Sequence, residues 1–204
     1  MEIYYNNITM VNNDVKKYFD NLASKWDEYE IKTDQMIINL LDLVDIKKGA
    51  SILDVGCGTG RITNLLYQYS NNNVTAIDLS NNMINIAKEK YKDKKDINFI
   101  CDDFVTHKFD KKFDYIIVYN AFPHFLNISD LNNAFINNLN ENGKFAILHS
   151  LSRKELQSVH TNLHDNITRN LLSPTEEAKN FSKDFDILIA KEDNHSFVLI
   201  GQKK

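Results

Sequence analysis

"ILDVGCGTGRI" occupies residues 52–62: a short apolar run enters a turn with glycine at every second position, Gly56, Gly58 and Gly60, and leaves through Ile62, Leu65, Leu66 and Tyr69 at helical spacing. That order predicts a buried strand, a tight turn and a helix. A glycine-rich turn between strand and helix lets the backbone approach a ligand closely and aims free N–H groups at negative charge. Taken alone, it fits equally well a tight turn that needs only positive φ. The flanking sequence has to decide between them.

Working outward, strand and helix patterns alternate. "SILDV" (51–55), "VTAID" (74–78), "INFIC" (97–101) and "FDYIIVY" (113–119) read as buried strands. Ser80 caps a helix carrying Met83, Ile84, Ala87 and Tyr91, and Leu131, Ala134, Phe135 and Leu139 mark another. "NENGKFAILHS" (140–150) supplies a glycine turn and a fifth strand, and two apolar runs around "EDNH" (192–195) form a terminal hairpin. Near-continuous apolar strands alternating with helices predict an α/β fold, a doubly wound, mostly parallel sheet covered on both faces.

The ends are less regular. Residues 13–29 mix aromatic and charged types, which predicts an amphipathic helix laid over another element. Ile37, Leu40, Leu41 and Val44 behind Thr33 predict a second helix, with Gly49 after its last turn. "SRKE" (152–155) has the form of a capping box and opens a helix expected to run to Leu172, with Leu156, Val159, His160, Leu163, Ile167 and Leu171 on one face. Pro174 starts a shorter helix to about Phe181. The expected organisation is one domain over 1–204: N-terminal helices to 48, a core over 49–150, a helical segment over 151–182 and the hairpin over 183–204.

Composition narrows the function classes. With 204 residues and 43% hydrophobic content the chain can bury one sizeable core. A formal charge of −4 and a pI near 5.9 provide no global basic field for a phosphate backbone or an anionic membrane. No apolar run approaches the roughly 18 to 20 residues that span a bilayer, and the first residues lack a signal-peptide pattern, so a cytoplasmic protein is expected. Cys57 and Cys101 belong to no CxxC pair and read as reduced thiols.

Acidic residues follow the glycine loop at strand ends. Asp78 closes the second strand, where a carboxylate can accept from both hydroxyls of a ribose. Asp102 follows the third strand, placed to accept from an adenine amino group, with Phe104 near enough to contact the ring. One adenosine-containing ligand explains all of them. A dinucleotide fold would normally show G-x-G-x-x-G, whereas this chain has Gly56-Cys57-Gly58-Thr59-Gly60 preceded by Asp54, so a nicotinamide dehydrogenase ranks last.

The run D-V-G-C-G-T-G, followed by "AIDLSNNM", "CDDF" and the closing hairpin, resembles the class I S-adenosylmethionine-dependent methyltransferases, most strongly over about residues 50–150. The resemblance implies a Rossmann-like seven-stranded sheet whose last strand is antiparallel. It implies S-adenosylmethionine as cofactor and S-adenosylhomocysteine as product. By it, Asp54, Gly56, Gly58 and Gly60 surround the methionine portion, Asp78 the ribose, Leu79 and Met83 the adenine edge, and Asp102, Asp103 and Phe104 the base. Cys57 stands where the family often carries a structural cysteine, and Asn120 is counted among the cofactor contacts.

"YFDNLASKWDEY" (18–29) resembles the lid helix of members that methylate small molecules, which makes Tyr18, Phe19, Trp26 and Tyr29 lid candidates; the same rings could equally pack the helix onto the sheet. "YNAFPHF" (119–125) falls beside the transferable methyl in the family geometry. Members acting on exocyclic amines of nucleic-acid bases carry Asn or Asp, two prolines and an aromatic residue there. Asn120-Ala121-Phe122-Pro123 departs from that pattern and, with the acidic pI, ranks nucleic acid behind a small molecule.

Methyl transfer is an in-line displacement, so the protein mainly aligns, excludes water and removes a proton where the nucleophile carries one. His124 is the candidate base or substrate contact, and His149 ends the fifth strand at the same sheet edge. His160 and His164 are one helical turn apart, so a divalent cation held among His124, His149, His160 and His164 is the alternative to a metal-free site. Arg153 could pair bidentately with a substrate carboxylate or phosphate, and Phe122 joins the substrate-side candidates. The reading is a methyltransferase acting on a small molecule. Its rivals are an RNA or protein methyltransferase and a non-catalytic S-adenosylmethionine-binding module.

Overall fold

The computed structural model describes residues 13–29, 33–70, 73–161 and 163–204. Seven strands, β1 (Ile52–Val55), β2 (Val74–Asp78), β3 (Ile97–Cys101), β4 (Phe113–Tyr119), β5 (Leu139–His149), β6 (Phe185–Glu192) and β7 (Phe197–Lys203), form one sheet in the order β3-β2-β1-β4-β5-β7-β6. The first five run parallel, and β7 is antiparallel to both β5 and β6. The expected mostly parallel sheet with a terminal antiparallel hairpin is found. Strand order reverses beside β1, which pairs with β2 on one side and β4 on the other. Crevices at such switch points are where open α/β sheets bind ligands.

Alternation along each strand fills two cores. Leu53 and Val55 join Ile116, Val118, Phe135 and Phe145 on one face, whereas Ile52 joins Leu66, Ile117 and Leu148 on the other. Both faces are dry, which is why the strands read as continuous apolar runs. Helices α4 (Thr63–Tyr69), α5 (Asn81–Lys90) and α6 (Ile128–Asn138) cross between strands. Ser80 caps α5 through Met83 N–H, as its position before the apolar period predicts.

The terminal segments depart from expectation. Residues 13–22 form a helix, α1, which tightens into a 3-10 turn at Ala23–Lys25 before α2 (Trp26–Tyr29). Helix α3 (Asp34–Asp42) begins at the Thr33 cap and ends well before Gly49. The long helix expected to reach Leu172 is instead α7 (Arg153–Val159), opened by the capping box of Ser152 and Glu155. Only Leu156 of this helix is buried, and Val159 is 66% exposed, so burial does not sustain the apolar face. Beyond it, short polar side chains compete with helical hydrogen bonds: Thr161 donates to Gln157 O and Thr168 Oγ1 meets His160 Nδ1 at 3.2 Å. Pro174 opens α8 (Pro174–Glu177), followed by a 3-10 turn at Ala178–Asn180. No helix among the described residues is long and apolar enough to cross a membrane.

Candidate active site

The loop after β1 is shaped by what lies against it. Gly56 has φ +67°, and a Cβ there would sit 2.6 Å from Ala121 Cβ, so only glycine lets the loop touch the turn after β4. Gly58 has φ +54°, and its missing Cβ makes room for the Trp26 indole nitrogen at 3.2 Å. Gly60 packs beneath Tyr91, whose hydroxyl donates to its carbonyl at 3.0 Å, and it lies outside the cavity that the other two border. Cys57 Sγ contacts Gly58 O at 3.7 Å; burial pushes the thiol pKa well up, which leaves it a packing group.

Two aspartates occupy different depths. Asp54 is buried behind the loop rather than in the cavity wall; its carboxylate accepts from Thr63 Oγ1 at 2.6 Å, and desolvation raises its pKa to about 7. Asp78 faces the cavity from the end of β2 and accepts from Gly58 N and Ser80 N, each at 2.8 Å. Burial raises its pKa, against those two donors.

The cavity has a volume of about 420 Å³ and lies along the carboxyl edge of β1 to β4. Leu79, Met83 and Phe104 give it an apolar end, with Asp102 and Asp103 at the rim. Asp102 accepts from His107 Nδ1 at 2.7 Å, a contact that lowers its pKa, and Asp103 accepts from Val105 N at 3.0 Å. Over the other end lie Val15 and Phe19 of α1 and Trp26. Tyr18 and Tyr29 stand outside the wall: Tyr18 packs edge-on to Phe19 at 5.1 Å, and Tyr29 is 60% exposed beside Trp26.

Two carboxylates of the mixed aromatic and charged stretch tie these N-terminal helices down. Asp20 accepts from Ser80 Oγ at 2.6 Å and Asn82 N at 3.1 Å, at the start of α5. Asp27 accepts from Thr59 Oγ1 at 2.5 Å and Lys90 Nζ at 2.7 Å. The acids interleaved with the aromatic residues of 18–29 were the available signal.

The turn after β4 completes the wall. Asn120 has φ +54°, and its side chain is taken up by Ser150, donating to Oγ and accepting from N, each at 3.0 Å. A 3-10 turn, Phe122–His124, follows. Phe122 is fully buried near Phe181 and Phe197, outside the cavity, because the core under β5 and β7 claims its ring. His124 does line the cavity, edge-on to Phe19 at 4.8 Å. Its Nδ1 lies 2.9 Å from Ile167 O; a carbonyl only accepts, so Nδ1 carries the proton and Nε2 keeps the lone pair. Burial lowers this imidazole to about 4.

The other candidates are not gathered here. His149 is wholly buried beside Phe197, with neither ring nitrogen hydrogen-bonded, and desolvation lowers it to about 3. It lies in the core rather than in the cavity wall. His160 is half-buried 5.3 Å from the His124 ring, and His164 is exposed. Among the described residues no group of three or more His, Cys, Asp or Glu side chains could hold a metal ion. Arg153 spends its fork on Glu192, at 2.7 and 2.6 Å, away from this cavity.

A switch-point cavity, a glycine loop pressed onto it and a carboxylate at the end of β2 define an α/β protein that binds a nucleoside-containing cofactor. Residues 52–143 match the model of the methyltransferase domain. The chain is 30% identical over 135 residues to a malonyl-[acyl-carrier protein] O-methyltransferase of Acetivibrio thermocellus, covering 65% of this chain and 47% of that one. It spans about half or less of the length of the first curated relatives it matches, 47%, 42% and 40%. Among solved structures, the complex of the Haloferax volcanii Trm112 methyltransferase activator with a putative methyltransferase matches at TM-score 0.76, 17% identity and 91% and 97% coverage of this chain and that one. The N-methyltransferase NodS of Bradyrhizobium japonicum with S-adenosylhomocysteine matches at TM-score 0.72, 12% identity and 93% and 98% coverage. Residues 52–143 thus carry a methyltransferase domain, and the chain is similar to the class I S-adenosylmethionine-dependent methyltransferases. The cofactor of that class is S-adenosylmethionine, and the loop, Asp78 and the cavity volume fit it.

Proposed function

We propose that this chain transfers a methyl group from S-adenosylmethionine to a small-molecule acceptor. The observation that carries the reading is one cavity bordered by the glycine loop, roofed by Phe19 and Trp26, and lined by His124, whose Nδ1 is held by Ile167 O. In it, the backbone of Gly56, Cys57 and Gly58 and the Asn120 segment flank the methionine portion, and Asp78 takes the two ribose hydroxyls. Leu79, Met83 and Phe104 enclose the adenine, with Asp102 and Asp103 at its polar edge. Asp54 acts from behind the loop, through Thr63, and Gly60 by packing.

The bound cofactor supplies an electrophilic methyl group and a neutral thioether leaving group. The chain's own contribution is alignment, exclusion of water by the aromatic roof, and proton removal. His124 is unprotonated at neutral pH, so Nε2 is free to accept a proton from an acceptor O–H or N–H. A weak base suffices because the nucleophile becomes acidic only as its new bond to carbon forms. A cavity of about 420 Å³ that also holds a cofactor admits no more than a small acceptor, and the acidic rim with a net charge of −4 disfavours nucleic acid. The proteins it is similar to carry both O- and N-methyltransferase names.

Calorimetric titration with S-adenosylmethionine and S-adenosylhomocysteine, with NADH as control, tests the cofactor half. A small-molecule screen read by S-adenosylhomocysteine formation tests the rest. Binding of the first two ligands only, with turnover of a small molecule, is expected; no binding overturns the reading, and turnover restricted to RNA or protein transfers it to that rival.

A further inference from the structure

Residues 167–172, expected as the end of a helix, return to the turn after β4 and clasp it. Arg169 N donates to Pro123 O at 3.0 Å, Arg169 Nε to Phe125 O at 3.1 Å, and the guanidinium carbon lies 4.4 Å from the Phe122 ring centre. His124, between them, donates to Ile167 O. Every residue from Phe122 to Phe125 is thus touched from one short segment. The outer nitrogens of the same guanidinium bind Glu177, at 2.7 and 3.3 Å, and Glu177 Oε1 also accepts from Leu172 N at 2.9 Å. The Glu177 side chain is 1% exposed and that of Arg169 18%.

We propose that Arg169 is a positioning residue of the transfer site, whose fork, fixed by buried Glu177, sets the Phe122–Phe125 turn so that His124 keeps its proton on Nδ1 and presents Nε2 to the cavity. This rests on the reading of His124 given above. Stability alone does not call for such a pair, because burying two charges costs about what their attraction returns, and apolar side chains fill the same space as well. Direction is what the ion pair adds. A planar fork with Nε on one carbonyl and both outer nitrogens on a carboxylate fixes the angle of the turn, which a lysine ammonium, a point charge on a flexible stem, does not.

The test is long-range proton–nitrogen NMR of the histidine rings in the full chain, with His124→Gln assigning the His124 signals. The wild type is expected to show His124 as a single neutral tautomer protonated at Nδ1. Arg169→Lys is expected to give a mixture of tautomers at unchanged S-adenosylhomocysteine affinity, and kcat for an acceptor from the screen falls on the order of a hundredfold with KM little changed. Methylguanidinium added to Arg169→Ala restores the single tautomer. Glu177→Gln, which keeps the shape and removes the charge, carries the same expectation if the arginine variants do not fold. A folded Arg169→Lys or Glu177→Gln protein with the wild-type tautomer overturns the inference. Failure of the wild type to bind S-adenosylhomocysteine instead overturns the cofactor reading and leaves this comparison standing.

Discussion

The two halves of the cavity are held by different kinds of contact. The half around the 56–60 loop is assembled from backbone donors and missing side chains: Asp78 accepts from Gly58 N and Ser80 N, and Gly56 lies against Ala121. The half around His124 is assembled from side chains distant in sequence, with Arg169 reaching Phe125 across 44 residues and His124 reaching Ile167 across 43. Backbone geometry tolerates change in the side chains around it, whereas a long-range clasp depends on each member. Substitutions in the first half should therefore act on cofactor affinity, and those in the second on turnover and on stability at a given pH.

The largest effect should come from Asp78→Ala. Each charge-assisted hydrogen bond to a ribose hydroxyl contributes roughly 1.5 to 3 kcal/mol, so losing two weakens S-adenosylhomocysteine binding by at least about a hundredfold. Calorimetric titration reads this directly. Unchanged affinity would place the ribose elsewhere and remove the distinction between the halves.

What was legible in the sequence follows the same division. The strands, the loop and Asp78 at a strand end depend on local period and spacing, and each is found in the expected place in the fold; Phe19 and Trp26, lid candidates by resemblance alone, line the cavity wall. Arg169 and Glu177 fall within the two helices expected over 152–172 and 174–181, and nothing local in the sequence says that one reaches the other. The apolar period of Leu163, Ile167 and Leu171 fitted a helix, yet the polar residues between them turn the chain back. Composition held one unused signal. Only three of the 24 basic residues are arginine, Arg61, Arg153 and Arg169, and each pairs with a carboxylate, of Asp34, Glu192 and Glu177. Where lysine supplies nearly all the positive charge, an arginine marks a place where a fork matters.

A smaller effect, confined to acid, separates His149 from the cavity. This ring titrates near 3 in the folded chain against 6.5 when unfolded, so its contribution to stability is complete above 6.5 and is lost as the pH falls toward 3. Asp54, raised to about 7, works in the opposite direction, since the folded chain holds its proton first. Comparing wild type with His149→Leu cancels Asp54 and leaves the histidine. Between pH 7 and pH 5 the wild type should lose roughly 2 kcal/mol more than the variant, measured by denaturant midpoints at each pH. Parallel pH profiles would mean that water or another donor satisfies the ring in solution.

The smallest expected effect belongs to Arg153→Ala, and its smallness is informative. The Arg153–Glu192 pair is bidentate, but the side chains are 36% and 28% exposed, and ion pairs of this kind contribute about 0 to 1 kcal/mol. It joins the start of α7 to the end of β6, beside a second, polar cavity that Pro123 and His160 also line. The imidazole pair of His124 and His160 stands between that cavity and the one holding the transfer site. If the acceptor is confined to the roofed cavity, Arg153→Ala leaves KM, kcat and S-adenosylhomocysteine affinity alone and lowers the melting temperature by a degree or two at most. A raised KM for one acceptor at unchanged kcat would instead show that the molecule extends past the imidazoles and that Arg153 leaves Glu192 to meet its far end.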